Sequence, residues 1–244
     1  MTRSWVFLLF IQSTIFIVNA KLPFAVPTCK RDSSDYALCL KKVLQQVWTK
    51  VIPGVPELGI PSLEPYHIQT ESFDLDMGDI NAKIRVKNVK AYGALNILWQ
   101  SIKPHHSKDY FKMDANFTTS RVFAEGDYKA EGGFGTFKQK GRGKFNLTLD
   151  NLKSTVHLEG PIVNDRWVIK EFKFRPEIGD LKFWASNLNK ENDEITAAIL
   201  SVINDYWRDF LPEILPFAEN IWNNAWKNLT NEIMKNVPFS EIFP

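Results

Sequence analysis

Asp74 and Asp76 stand two residues apart in an alternating stretch, so both carboxylates leave a strand on one face. A glycosidase dyad or a cation site would need such a pair, but so would an ordinary solvated strand. Of the four histidines, His157 alternates onto the polar side between Val156 and Leu158. His105 and His106 follow Pro104 in what reads as a turn, and His67 stands apart from the rest. No G-x-S-x-G elbow, H-E-x-x-H zinc helix or glycine-rich phosphate loop occurs anywhere in the chain. The residue types therefore point to no catalytic group, metal or cofactor, and the chain is expected not to be an enzyme. With 30 Lys and Arg against 28 Asp and Glu in 244 residues, it also lacks the basic surplus that phosphate recognition requires, so no nucleic-acid partner is expected.

The most informative run is Phe137 to Phe145. Read as a strand, it sends Lys138, Lys140, Arg142 and Lys144 outward and Phe137, Gln139, Gly141, Gly143 and Phe145 inward. The basic row, with a second between Lys83 and Lys87, suits either a solvated strand face or transient docking to an anionic membrane or a receptor. The inward glycines remove side-chain volume. Either a long helix approaches closely there or space is left for a ligand. Eighteen Phe, eight Trp and six Tyr make the chain 13% aromatic, which suits a packed core and an apolar lining equally.

These residues must be positioned by elements whose limits the pattern gives. Residues 1–20 carry Arg3 and then an apolar run from Trp5 to Val18, which reads as a secretory signal peptide ahead of a single domain, 21–244. An oxidising destination favours a bridge between Cys29 and Cys39, the two cysteines of the chain. It also makes Asn116, Asn146 and Asn228 glycan acceptors, each in an Asn-x-Thr motif. Ser33, Ser34 and Asp35 can cap an amphipathic helix bearing Leu40, Val43, Leu44, Val47, Trp48 and Val51. Gly54 to Pro65, rich in proline, is expected to run extended as a stiff connector.

From Tyr66 to about Phe183 the period is two, with one dry and one wet face, as in an antiparallel sheet. A change of parity near Lys170 and Glu171 predicts a bulge. Beyond Asn189 the period becomes helical. One stripe comprises Ile195, Ile199, Val202, Ile203, Tyr206 and Phe210 and ends at Pro212; a second includes Phe217, Ile221, Trp222 and Trp226.

Taken together, Leu22-Pro23, Cys29-Lys30-Arg31, Cys39-Leu40, the Gly54–Pro65 connector, Gly141-Arg142-Gly143, Asn204-Asp205-Tyr206-Trp207 and the terminal Val237–Pro244 resemble the takeout and juvenile hormone-binding protein family. The resemblance implies an α+β fold of the tubular lipid-binding kind, a strongly curved antiparallel sheet wrapped around a long C-terminal helix. It also implies a secreted monomeric carrier of a small hydrophobic ligand, terpenoid, fatty acid or other lipid, with the disulfide near the cavity mouth. On this reading Phe137, Gln139, Phe145, Phe217, Ile221, Trp222 and Trp226 line the ligand site. Gln139 departs from the family, which carries a Leu-Pro-Ile stretch where this chain has Phe137-Lys138-Gln139. Its amide is expected to meet a ligand head group or the helix.

Overall fold

The computed structural model describes residues 23–78, 80–134, 137–189 and 192–244. The proposed signal peptide lies outside them, as do the side chains of Phe134 and Phe137. After the N-terminal segment, α1 (Tyr36–Val51) carries its apolar stripe on one side. Asp35 occupies the N-cap but makes no side-chain cap; its carboxylate instead accepts from the Ser33 hydroxyl. The connector does not run extended. Pro56 starts a single 3-10 turn, Gly59 takes φ +69°, and Val55 and Ile60 pair backbone to backbone, so the chain folds back on itself. That fold-back buries Val55, Leu58 and Ile60 with Val237 in a small second core.

The eight-stranded sheet is built on one very long hairpin, β4 (Tyr110–Phe134) with β5 (Phe137–Val163). On its other side β4 pairs with β2 (Ile80–Tyr92) over its C-terminal half and with β3 (Leu98–His106) over its N-terminal half. β1 (Tyr66–Met77) adds to β2 and forms one edge. The free side of β5 takes β8 (Asp180–Ala185), β7 (Glu171–Glu177) and β6 (Arg166–Trp167) in succession, which form the other edge. The inward face of β5 changes parity between Leu149 and Leu152, where Asn151 takes φ +53°, and the sheet curls into a half-barrel.

The expected bulge is present. The β5 register slips by one residue between the Ile162–Trp167 and Glu159–Glu171 pairs. The residue left over, Ile169, gives its N–H and C=O to the Asn231 amide at 2.8 and 3.0 Å.

Asn231 belongs to α2 (Asp193–Asn236), a 44-residue helix broken in its dihedrals at Tyr206 and capped by Asn192, whose side chain accepts from the N–H groups of Glu194 and Ile195. The break lies upstream of Pro212 and Pro216, both inside the helix, rather than at Pro212 as the sequence suggests. The rings of helical prolines crowd the carbonyls four residues earlier and so bend the helix on its N-terminal side. The expected first stripe is also turned: Ile195, Val202 and Tyr206 are exposed, and Trp207 is the buried residue.

Asparagines on the sheet side explain that turn. An edge strand offers unpaired N–H and C=O groups, and Asn204 takes both from Phe183 of β8 at 2.8 Å each. Asn223 accepts from the Phe174 N–H of β7 at 2.8 Å, and the Trp222 indole donates to the Phe174 carbonyl at 3.1 Å. The helix is thus clipped by amides along the β6–β7–β8 edge. Its Trp226 reaches the opposite edge, stacking on Tyr66 of β1 with ring centroids 5.9 Å apart.

Candidate functional site

Where α1, the folded-back connector, the inner face of the sheet and the C-terminal part of α2 converge, they leave an apolar cavity of about 520 Å³. α1 supplies Leu40, Val43, Leu44, Val47, Trp48 and Val51, the whole stripe read from the sequence. The inward positions of β3, β4 and β5 supply Trp99, Ile102, Met113, Ala115, Phe117, Val156 and Leu158; Phe172 and Phe174 come from β7. α2 supplies Trp226, Leu229, Thr230, Ile233 and Met234, and the C-terminal segment supplies Val237, Ile242 and Phe243.

Among the described residues, no Asp, Glu, Lys, Arg or His is a wall. Three of the walls' hydroxyl and indole donors are engaged by the protein: Thr230 donates to the Trp226 carbonyl at 2.8 Å, Thr119 to the Gly93 carbonyl at 3.3 Å and Trp48 to the Ala94 carbonyl at 2.8 Å. The buried indole N–H groups of Trp99 and Trp167 have no acceptor among the described residues. Trp99 instead meets Phe117 and Trp48 edge to face. Such a lining can hold an apolar molecule by burial and shape and brings no charged side chain to an ion. Its volume lies within the roughly 300–1,000 Å³ of small-molecule sites.

Of the residues the sequence assigned to a ligand, Trp226 is a wall of this cavity. Gln139, Phe145, Phe217, Ile221 and Trp222 are not among its walls; the Phe137 side chain is outside the described residues. Phe145 stacks on Phe183, and the Trp222 ring packs against Phe174. The Gln139 amide is taken by the loop between β8 and α2, donating to the Leu188 carbonyl at 2.9 Å and accepting from Asn189 at 3.1 Å.

That loop, rather than a helix or a ligand, also accounts for the two inward glycines. A Cβ on Gly141 would sit 2.8 Å from the Leu188 carbonyl oxygen, and one on Gly143 2.6 Å from that of Ser186. Tyr128 donates to the same Ser186 carbonyl at 2.7 Å, and burial pushes its phenol up to about 12.

On the outer face, Lys140 and Lys144 of the basic row pair with Glu131 and Asp127 at 3.3 and 3.2 Å. Both carboxyls are held below their usual range, Glu131 first by Lys129 and then Lys140, Asp127 first by Asn88 and then Lys144. Asp74 and Asp76 are exposed opposite Lys83 and Asn81 in the β1–β2 register. No group of three or more His, Cys, Asp or Glu able to hold a metal occurs among the described residues.

Cys29 and Cys39 are bridged, with Cα atoms 5.8 Å apart. The bridge ties the N-terminal segment to the first turn of α1, next to the cavity wall Leu40. Asn116 and Asn228 are exposed, and Asn146 is half-buried. His105 and His106 end strand β3 rather than lying in a turn, and His106 is turned inward among aromatic rings.

The sequence missed the α1 and β3–β4 walls as a site because their apolar spacing reads as core.

A curled antiparallel sheet closed by one long C-terminal helix is the fold of takeout proteins. The crystal structure of Epiphyas postvittana Takeout 1 matches with a TM-score of 0.71 at 19% identity, covering 90% of this chain and 99% of that one. A lipopolysaccharide binding protein matches with a TM-score of 0.35 at 14% identity, over 83% of this chain and 38% of that one. The family described as Haemolymph juvenile hormone binding protein matches residues 5–244, and the chain belongs to it. No curated protein sequence matches significantly. No helix among the described residues is long and apolar enough to cross a membrane.

Proposed function

We propose that the protein is a secreted carrier that holds one small, hydrophobic molecule in the cavity beneath α1. The observation that carries this reading is an uncharged space of about 520 Å³ walled by α1, the sheet and α2. Family membership supports the same class of function. An apolar chain burying about 350 Å² gains roughly 9 kcal/mol gross at about 25 cal/mol per Å². Ordering costs of several kcal/mol then bring the affinity toward the micromolar range. Contact falls to Leu44, Trp48, Trp99, Phe117, Phe174 and Trp226. Secretion would follow from residues 1–20, and Asn116, Asn146 and Asn228 are its glycan acceptors.

The test is uptake of the fluorescent apolar probe N-phenyl-1-naphthylamine by the purified protein and by Ala115→Phe, which puts a ring into the cavity from a wall that is 2% exposed. Saturable binding that drops at least tenfold in a folded Ala115→Phe supports the site. Equal binding by both proteins would place the probe elsewhere.

A further inference from the structure

The C-terminal segment after α2 is held from two sides. Asp165 accepts from the Ser240 N–H at 2.9 Å and its hydroxyl at 2.7 Å, while the Asp165 carbonyl accepts from the Phe239 N–H at 2.8 Å. Across the segment, the Arg31 guanidinium donates to the Phe243 carbonyl and lies over the Phe239 ring, 5.6 Å from its centroid. Phe239 and Phe243 are buried on Phe111 at 5.2 and 4.6 Å, and Val237, Ile242 and Phe243 are walls of the cavity.

His106 stands in this packing. Its ring lies 4.5 Å from Phe111, 6.2 Å from Phe239 and 6.3 Å from Phe243. Nε2 is 2.8 Å from the Tyr36 hydroxyl, and Nδ1 is buried with no partner among the described residues. The charged and titratable groups facing the ring are the Arg31 guanidinium from the N-terminal segment and the Tyr36 phenol from α1. β4 and α3 (Phe239–Ile242), with Phe243 at its C-cap, bring Phe111, Phe239 and Phe243, and among the described residues no Asp or Glu side chain bears on it. A neutral imidazole fits this cage. An imidazolium would bury a second N–H donor without an acceptor and a second positive charge beside Arg31.

We propose that the C-terminal segment is a proton-operated plug on the cavity, seated while His106 is neutral and released when His106 is protonated, so that acidification frees the guest. The proposal rests on the carrier reading of the cavity. Burial first, and Arg31 second, hold the seated His106 below its ordinary range. A released segment uncovers the ring and raises it back toward its ordinary range, because burial is the larger cause. Seating is therefore fully favoured above the ordinary histidine range and weakens as pH falls through that range toward the lowered one. The opening equilibrium rises by up to about tenfold per pH unit across that window.

Two readouts separate this idea from the carrier reading. Hydrogen exchange at residues 237–243, corrected for the intrinsic rate, needs no guest; release of N-phenyl-1-naphthylamine after a jump from pH 7.5 to 5 does. Exchange and release should both accelerate in the parent protein and stay level in His106→Phe, which keeps a ring and cannot titrate. His106→Asn serves the same purpose if the larger ring fails to fold. Acceleration of the same size in a folded variant, or none in the parent, overturns the plug. A parent protein whose segment opens with acid but which takes up no probe at pH 7.5 supports the proton-driven opening and overturns the cavity's role as a guest site.

Discussion

Trp226 of α2 stacks on Tyr66 of β1 while Trp222, one turn earlier, bonds and packs on Phe174 of β7. One turn of the helix therefore touches both edges of the curled sheet. The two edges of the half-barrel are bridged not by strand pairing but by α2, two of whose aromatic residues, spaced i, i+4, reach one edge each. Removing either ring of the Tyr66–Trp226 pair should loosen that bridge. A double-mutant cycle with Tyr66→Leu and Trp226→Leu, read by urea unfolding, is expected to give a coupling of about 0.5–1.5 kcal/mol.

The amide clips make a second expectation. Asn231→Ala leaves the bulged Ile169 backbone without partners, and Asn204→Ala does the same for Phe183. Each should cost about 1–3 kcal/mol, the penalty of stranding partly buried polar groups. Amide exchange at Ile169 or Phe183 should accelerate in the corresponding variant and not in the other.

How much of this was legible depends on whether a feature is periodic. The α1 stripe, the long alternation through Phe111–Phe117 and the parity change near Lys170 follow from spacing alone, because burial on one face imposes a period. The face of α2 did not follow, because Asn204, Asn223 and Asn231 point at the sheet to satisfy its edge. A hydrophobicity pattern sends such residues to solvent, as it sent Ile195 and Val202 inward.

The inward glycines were readable as a close approach. The approaching group was not, since the loop at Ser186–Leu188 has no period of its own. The cavity lies nearer α1 than the assigned residues suggested, because an unfilled space is fixed by how three elements meet and not by any one of them. Of the assigned residues, Trp226 is a wall of it, and Gln139 is engaged by the backbone of that loop.

Gly143→Ala tests the loop's approach directly. Its Cβ would press on the Ser186 carbonyl, so either the loop or the strand must move. The cost expected is about 1–3 kcal/mol, as for overpacking in a filled interior. Thermal unfolding should register it, and Gly59→Ala makes a poor control because Gly59 is needed for its φ of +69° rather than for space.

The Cys29–Cys39 bridge closes a loop of sequence separation 10. Loop entropy assigns about 3 kcal/mol to a loop of roughly 15 residues and slightly less to a shorter one. The Cys29→Ser, Cys39→Ser double variant should unfold at lower urea by about that margin. Because the bridge anchors the segment bearing Arg31, exchange at residues 237–243 should also rise in this variant at neutral pH.

If the space beneath α1 is a carrier site, it holds an oily molecule in life. The most direct measurement is organic extraction of the intact protein purified from its secreting cells, followed by mass spectrometry. The account predicts a discrete hydrophobic compound at close to one per chain, absent from a folded Ala115→Phe. Protein that yields no such compound, and that takes up no apolar probe after stripping, would contradict it.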